Sequence, residues 1–598
     1  MKHNLRLLFF FSFLVLFAQS SFAQKKEISG TVTSKTDNIP LPGVTVMIEG
    51  TTVGTETDFD GNYTLKANVG DVLVYAYLGM KTQKKTVANQ TTINVALEDD
   101  AGQLDEVVIT AFGIKREAKK LGYLVQEVNS EDLTVAADPN MATALRGKVA
   151  GVEIRSGATG PGSSTNITIR GISSLSGSNQ PLIVIDGVVV SNTNIGQGDF
   201  AGGFDFGDGF SNINPDDIER ISVLKSGNAT ALYGYRGANG VILITTKSGK
   251  SGKVKVDVSS AASFDNVLVS PKFQNQYGQG RYDTATNTLE YNIIDGGSWG
   301  PRLDGTQRER FDGVGTAEYS ANPGDFKDFY NTGTTFTNSV IVSQAKNGTD
   351  FKLSYGNLSN ESIQKGATLN RHNFGLKAGI DVNDKIRVSG KIDYTRQKGE
   401  NRPELTDGQS NTIKALSTKP RNISNSLLAN NYLKADGTPN NWAGSFTMNP
   451  FYATNTLLNE DETNRYIGLI SLDIDLLEGL KLNARASQDL SFTNAFIYRE
   501  KGAFDIAPNG KLDEFNTTSK TTSYDLLLNY NTELSDDFSL TAAFGLNQIN
   551  SSFKSIVTVG ETFVQDNFFS FNNFKSKNII SWDIYDNNTK YVIFLDIR

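Results

Sequence analysis

The sequence predicts a mainly β protein of three folded parts: a small N-terminal β-sandwich, an α+β domain, and an antiparallel transmembrane β-barrel that is incomplete. Three observations predict it. Short alternating runs separated by turn residues crowd the first hundred positions. Between Met141 and Lys250 the chain is Gly-rich, soluble in composition, and mixes short helical and strand patterns. From Ser251 onward, long stretches alternate apolar and polar residues and are joined by tight turns at one end only.

The first 23 residues read as a secretory signal. Lys2 and Arg6 form a positive start, Leu7 to Phe17 an apolar core, and Ser21-Phe22-Ala23 a small-residue cleavage site. The apolar core is shorter than the roughly 20 residues of a helical span. No Cys follows the site, so a lipoprotein signal is not expected. No later stretch is apolar enough for a membrane helix, so a membrane-embedded mature chain has to cross with strands. The 598 residues include no cysteine, which excludes disulfides, thiolate metal ligands and a cysteine nucleophile. A net charge of −8 argues against a nucleic-acid partner.

Residues 24–99 make the predicted sandwich. Its strands are Val44–Ile48, Tyr63–Ala67, Val72–Ala76 and Ile93–Leu97, punctuated by Pro40-Leu41-Pro42-Gly43, Asp60-Gly61-Asn62 and Val69-Gly70-Asp71. Residues 100–121 read as a linker. Within it Leu104, Asp105, Glu106, Val107, Val108, Ile109 and Thr110 form a short β-prone run in polar surroundings. Such a run can add to a partner's sheet edge, or it can simply connect two domains.

Residues 122–250 make the α+β domain. A helix is predicted over Met141–Val149, strands over Val152–Arg155, Asn166–Arg170, Pro181–Ile185, Ile218–Leu224 and Val241–Thr246. Asn214-Pro215-Asp216-Asp217 starts a short helical turn, and Ala229–Tyr233 a second one ended by Gly234. Residues 251–598 carry the barrel pattern: Val254–Val258, Phe374–Val382 with Ile386–Val388, Ile470–Leu476 with Leu480–Ala486, and Tyr524–Tyr530 with Phe538–Leu546. Tight turns at Asn383-Asp384-Lys385, Leu477-Glu478-Gly479 and Ser535-Asp536-Asp537 contrast with long connections over 266–335 and 400–463. A soluble array of β-sandwiches also alternates, and stands as the other reading of this part.

Other motifs are weak. Gly196 to Ala201 only loosely fits a dinucleotide loop. Asp58-Phe59-Asp60-Gly61-Asn62 has its glycine in the wrong place for an EF-hand, and a hairpin turn accounts for it better. The Gly/Asp-rich run Gly196–Gly209 could hold a cation, though most such runs are only loops. A hydrolase would have to use His372, which lacks a nucleophile elbow. No catalytic, metal or cofactor residue is assigned.

The segment from Ile28 to Met80, with LPGVTVMIEGTTVGTETDFDGNYTL inside it, resembles the carboxypeptidase-regulatory-like domain, an accessory sandwich and not a peptidase. Further on, LRGKVAGVEI (145–154), TIRGISSL (168–175), PLIVIDGVVV (181–190), the run from Ile213 to Lys250 and SWGPRLDG (298–305) stand in fixed order. With these, nearly the whole mature chain resembles a TonB-dependent outer-membrane transporter of the SusC/RagA type. Tyr235-Arg236-Gly237-Ala238 departs from that family's usual Ser-Arg-Ala-Ala, where a local packing change is expected.

The resemblance implies active import of an oligosaccharide or peptide rather than catalysis. Residues 122–250 would be the plug inside the barrel. Leu104 to Thr110 would be the segment that TonB, with its inner-membrane ExbB/ExbD motor, pairs with and pulls. A SusD-like surface lipoprotein would cover the outer loops, and the N-terminal domain would face the periplasm. The lack of room before Ile28 implies no added signalling domain. Plugged barrels have about 22 strands, which needs well over ~400 residues. The part after Lys250 is shorter, so a truncated barrel that does not insert as a working transporter is expected. A passive surface binding protein or adhesin, or a non-functional fragment, remains the alternative.

Overall fold

A computed structural model of the chain describes residues 26 to 597 except 36, 52, 78–79, 99–106, 110–114, 118–124, 135–137, 139, 158, 161, 176–177, 197, 199, 226–228, 230–232, 250–251, 443–446, 504–506 and 536–537. The signal segment and most of the linker lie outside the described residues. The chain divides into two compact units, an N-terminal sandwich and a larger unit holding everything from residue 121 onward.

The sandwich pairs two sheets. Lys26–Ser34 lies between Asn62–Ala67, antiparallel, and Val95–Leu97, parallel. The second sheet has the order Gly54–Glu56, Thr45–Ile48, Val72–Ala76, Gln83–Thr86. Alternation puts Ile28, Val32, Val46, Leu65, Leu73, Tyr75, Val95 and Leu97 into one core. Gly54–Glu56 and Gln83–Thr86 escaped the sequence reading because both are short, polar edge strands. The Tyr63 and Tyr75 hydroxyls meet at 2.5 Å inside this core, and the Tyr63 hydroxyl donates to the Ile93 carbonyl at 2.8 Å. Burial raises both phenols. At the Asp58 turn, the carboxylate accepts from the Asp60 and Asn62 amides at 3.0 and 2.7 Å, a hairpin tie in place of an ion site.

In the larger unit, the α+β domain has a five-stranded sheet of order Val125–Asn129, Ile218–Leu224, Val241–Thr246, Leu182–Ile185, Val188–Val190. Only Leu182–Ile185 and Val241–Thr246 run parallel. Val152–Ser156 and Thr165–Ile169 form a separate hairpin. The helix begins at Met141, capped by the Asn140 side chain, but ends at Ala144, short of the predicted Val149. Gly147 and Gly151 take positive φ (76° and 73°) and turn the chain there. Leu133, Met141, Leu145, Ile183, Phe210, Ile221, Val223 and Ile242 fill the core. The missed strand Val188–Val190 follows a two-residue turn in which Asp186 and Gly187 both have positive φ (50° and 89°). That is the type I′ pattern that Asp-Gly favours.

The barrel wall is one ten-stranded sheet in which every strand pairs antiparallel with the next in the chain. Its strands are Lys255–Asp265, Gly333–Lys346, Thr349–Glu361, Thr368–Asn383, Ile386–Glu400, Asn459–Leu477, Leu480–Arg499, Lys511–Ser535, Phe538–Phe563 and Phe574–Ile597. Tight turns sit at one end, as at Asn347-Gly348, where both residues have positive φ. At the other end run the long connections 266–332 and 401–458. These are shorter than the sequence reading placed them, because the flanking strands extend further on polar residues.

One face of this wall is built for lipid. Tyr355, Phe374, Tyr394 and Tyr466 stand side by side on four neighbouring strands, ring centroids 4.9, 6.2 and 4.9 Å apart. Toward the tight turns lie exposed Leu353, Leu376, Ile392 and Ile470. Toward the long loops the same face becomes charged, with Arg396 bonded to Glu462 at 2.9 Å and Lys398 to Glu400 at 2.6 Å. An aromatic row dividing an apolar band from a charged rim is the signature of a membrane–water boundary.

Candidate functional site: the inner domain seated on the wall

The opposite face of the wall holds the α+β domain, and the contact is rich in ion pairs and hydrogen bonds. The turn that makes Asp186 take positive φ also thrusts its carboxylate at the wall, 2.8 Å from Lys391 Nζ and 3.7 Å from Lys377 Nζ. Thr246 donates to it from its amide (2.9 Å) and its hydroxyl (2.6 Å). Burial alone would raise this carboxyl, but the two lysines win and hold it well below the usual carboxylate range. Gly187 beside it leaves room for Arg485, whose Nη1 would lie 2.6 Å from an added Cβ.

The Asn214-Pro215-Asp216-Asp217 turn supplies two more acids. It is a single 3-10 turn, with Asn214 accepting from the Asp216 amide. Lys352 Nζ reaches Asp217 at 2.7 Å, and the Ser339 hydroxyl donates to Asp216 at 2.6 Å. Lys352 is only 2 % exposed.

Wall arginines hold the domain's backbone. Arg371, fully buried, donates to the Ser211 carbonyl, and Asn373 donates to the Asn212 carbonyl at 2.9 Å. Arg402 pairs with Asp461 at 2.5 Å and donates to the Gly162 carbonyl at 3.2 Å. Arg465 pairs with Asp489 at 2.7 Å while donating to the carbonyls of Gly209 (2.5 Å) and Ser191 (2.9 Å). Asp489 in turn accepts from the Ser191 amide at 2.8 Å. Apolar contacts join them: Ile467 and Leu469 enter the domain's core, Ile549 packs near Val189, and Phe204 and Phe206 cluster with Ala495, Ile497 and Phe515 of the wall.

The Gly/Asp-rich run proves structural. Asp205 accepts from the Ser164 amide and hydroxyl at 2.8 and 2.6 Å. Asp208 accepts from the Thr165 amide (2.7 Å) and hydroxyl (2.8 Å) and from the Ser211 amide (2.8 Å). Burial pushes Asp208 up despite these donors. Both carboxylates are spent tying one loop of the domain to another, and no metal-binding cluster occurs among the described residues.

Of the segment singled out for a partner, Leu104, Asp105, Glu106 and Thr110 lie outside the described residues. Val107–Ile109 is a strand paired with Lys115–Glu117. His372 is neither a loop nor a lumen residue. It lies on Thr368–Asn383, one position from inward Arg371, and its Nδ1 is 3.0 Å from the Tyr355 hydroxyl at the aromatic row. The departing Tyr235-Arg236 pair reaches the last strand, Arg236 at 2.5 Å and the Tyr235 hydroxyl at 3.0 Å from Asp586. The wall's inward bases went unnoticed in the sequence. Their signal is there for all but Arg402, which lies just past a strand end: each of the others stands at an alternate position of an otherwise amphipathic strand.

Two family models match the chain: the TonB-dependent Receptor Plug Domain over residues 117–241 and the CarboxypepD_reg-like domain over residues 28–109. The chain is similar to TonB-dependent receptor P26 of Formosa agariphila, 29 % identical over 89 % of this chain and 49 % of that one. It is also similar to TonB-dependent receptor SusC of Bacteroides thetaiotaomicron, 35 % identical over 59 % of this chain and 32 % of that one. The chain thus spans about half the length of the first of these relatives or less. Among solved structures, the RagAB peptide importer in its open-open state matches at 20 % identity and a TM-score of 0.55, covering 82 % of this chain and 54 % of that one. At that identity the likeness shows the fold. These relatives are receptors and transporters, not enzymes. In its plug, its accessory sandwich and its relatives, the chain is similar to the TonB-dependent receptors of the SusC/RagA type.

Proposed function

We propose that this chain carries the gate of an outer-membrane importer that takes in an oligosaccharide or a peptide. The observation that carries this reading is the polar seat of the plug. Asp186, Asp216 and Asp217 on the plug meet Lys391, Lys377, Ser339 and Lys352 on the wall. Contacts of this kind can be exchanged for water one at a time, each at a cost of about 1.5–3 kcal/mol where a partner is charged. A seat of that sort holds the plug at rest and yields to a pull. An apolar seat would resist all at once.

The pull enters through Leu104 to Thr110. This run is β-prone and Val107–Ile109 is already a paired strand, so adding it to a sheet edge of TonB requires little rearrangement. TonB and its ExbB/ExbD motor would draw on the inner-membrane proton gradient. The sandwich and the tight turns would face the periplasm, the long loops the outside, where a SusD-like lipoprotein would help capture cargo.

Deleting residues 104–110 tests the reading. In cells carrying the chain joined to the remaining barrel strands of a relative, energised uptake is expected to vanish, while surface binding of cargo persists. Uptake at the undeleted level would sink the proposal and favour a passive binding protein.

A further inference from the structure

The plug and the long connection 401–458 meet backbone to backbone at a joint. On the plug side stand Gly198, Gly202 and Gly203, and on the other the turn 404–408. The Leu405 amide donates to the Gly203 carbonyl at 2.9 Å. A Cβ added to Gly202 would lie 2.9 Å from Glu404 Oε1 and 3.0 Å from Gly408 Cα, and one added to Gly198 would lie 3.1 Å from Leu405 Cβ. Glycine permits that approach where a larger residue would hold the two loops apart. Within the turn, Thr406 has a φ of 53°. A β-branched residue is strained in that conformation and keeps it only where its surroundings impose it. Here Asn411 Nδ2 donates to the Thr406 carbonyl at 2.9 Å, and Glu404 accepts from the Ser410 amide at 2.8 Å.

Bonds continue from the turn into both outer loops. Asn411 caps the helix Thr412–Thr418, accepting from the Ile413 and Lys414 amides at 2.9 and 3.2 Å. Just past that helix, Lys419 forms an ion pair with Asp325 of the other long connection, and the Asn425 amide donates to the same carboxylate at 2.8 Å. On the plug side, the Phe206 amide donates to the Ile195 carbonyl at 3.0 Å, and Asp205 accepts from the Ser164 hydroxyl at 2.6 Å. We infer that this joint couples the outer loops to the plug through two states of Thr406, one strained and seated on the plug, the other relaxed and unseated. A shift of the outer loops is then felt at the plug, and withdrawal of the plug loosens the outer loops, because coupling between two sites is reciprocal. The joint needs neither cargo nor TonB, so it goes beyond the import reading and does not rest on it.

Hydrogen exchange of the full chain in detergent, read by mass spectrometry with residue-level fragmentation, is the test. Asp325→Ala, a change made in an outer loop, should speed exchange at Leu405 and across residues 204–211 by about fivefold or more. Gly202→Val, a wedge driven in from the plug side, should speed exchange across Thr412–Thr418 and at Asn425 by a similar factor. Asn adopts positive φ more readily than Thr, so Thr406→Asn should slow exchange at Leu405 about threefold. Exchange across Ile218–Leu224 in the plug core should stay unchanged in all three, which separates passage through the joint from general loosening. Should Asp325→Ala unfold its loops outright, Gly202→Val and Thr406→Asn carry the test. An effect confined to the mutated side, equal loosening of Ile218–Leu224, or a Leu405 amide that does not slow in Thr406→Asn would each overturn the inference. Failure of the import reading would show in uptake alone.

Discussion

Asp186 ties the plug to its seat, because it bonds to Thr246 within its own domain and to two lysines of the wall. Its carboxyl is held far below its ordinary value. The stability it contributes is therefore fully present above the unfolded pKa of about 3.9 and is lost as pH falls toward the folded value. Amide exchange over Leu182–Val190, corrected for intrinsic rates, should be flat on this account from pH 5 to 8 and speed up in acid. Asp186→Asn should abolish that acid loss. It should also cost roughly 2–3 kcal/mol at neutral pH, below the ~3–5 usual for breaking a buried pair, because Lys391 keeps Asp393 at 2.8 Å. Tyr63 is the corresponding residue in the sandwich. Tyr63→Phe strands the Tyr75 hydroxyl and the Ile93 carbonyl, and should lower stability by about 1–2 kcal/mol in a thermal or urea melt.

At the scale of elements, the turn and the strand each make a checkable demand. Gly187→Val would place a β-branched residue at φ 89° and its Cβ 2.6 Å from Arg485 Nη1. A cost of about 2–3 kcal/mol is expected, read as faster exchange across Leu182–Val190. In Ile386–Glu400, Lys391 faces the plug and Ile392, 51 % exposed, faces outward. The chain has no native cysteine, so single cysteines report cleanly. In outer membranes, a cysteine at 392 or 394 should escape a hydrophilic maleimide, while one at 398, beyond the aromatic row, should react. Equal labelling at 392 and 398 would remove the membrane boundary argued from the ladder. The strands predicted best are those whose outer face meets lipid, such as Phe374–Val382, because there alternation is sharp. Residues 511–523 and 547–563 continue their strands beyond the band. Ser, Thr and Asn serve as well as apolar residues there, so the period-two signal fades.

For the molecule as a whole, the sandwich is a unit with its own core among the described residues, centred on Ile28, Val46, Leu73 and Tyr75. Residues 26–99 made alone should fold and melt in one cooperative transition, followed by circular dichroism. A chain that stays unfolded would show that the sandwich needs the larger unit. The sequence by itself determined the fold class, the order of the three parts, the tight turns and the polar character of the plug. Those follow from alternation, turn chemistry and motif order, all of which are local. Only the tertiary structure decided what the isolated charges are for. Nothing near Asp186 in the chain hints at Lys391, two hundred residues away, and nothing near Gly162 hints at Arg402. Polar partners across a sheet and its plug are chosen by register and by which face each strand turns inward. The same holds for the joint of Gly202 and Gly203 with the turn 404–408, whose two sides stand far apart in the chain and meet only when both loops fold.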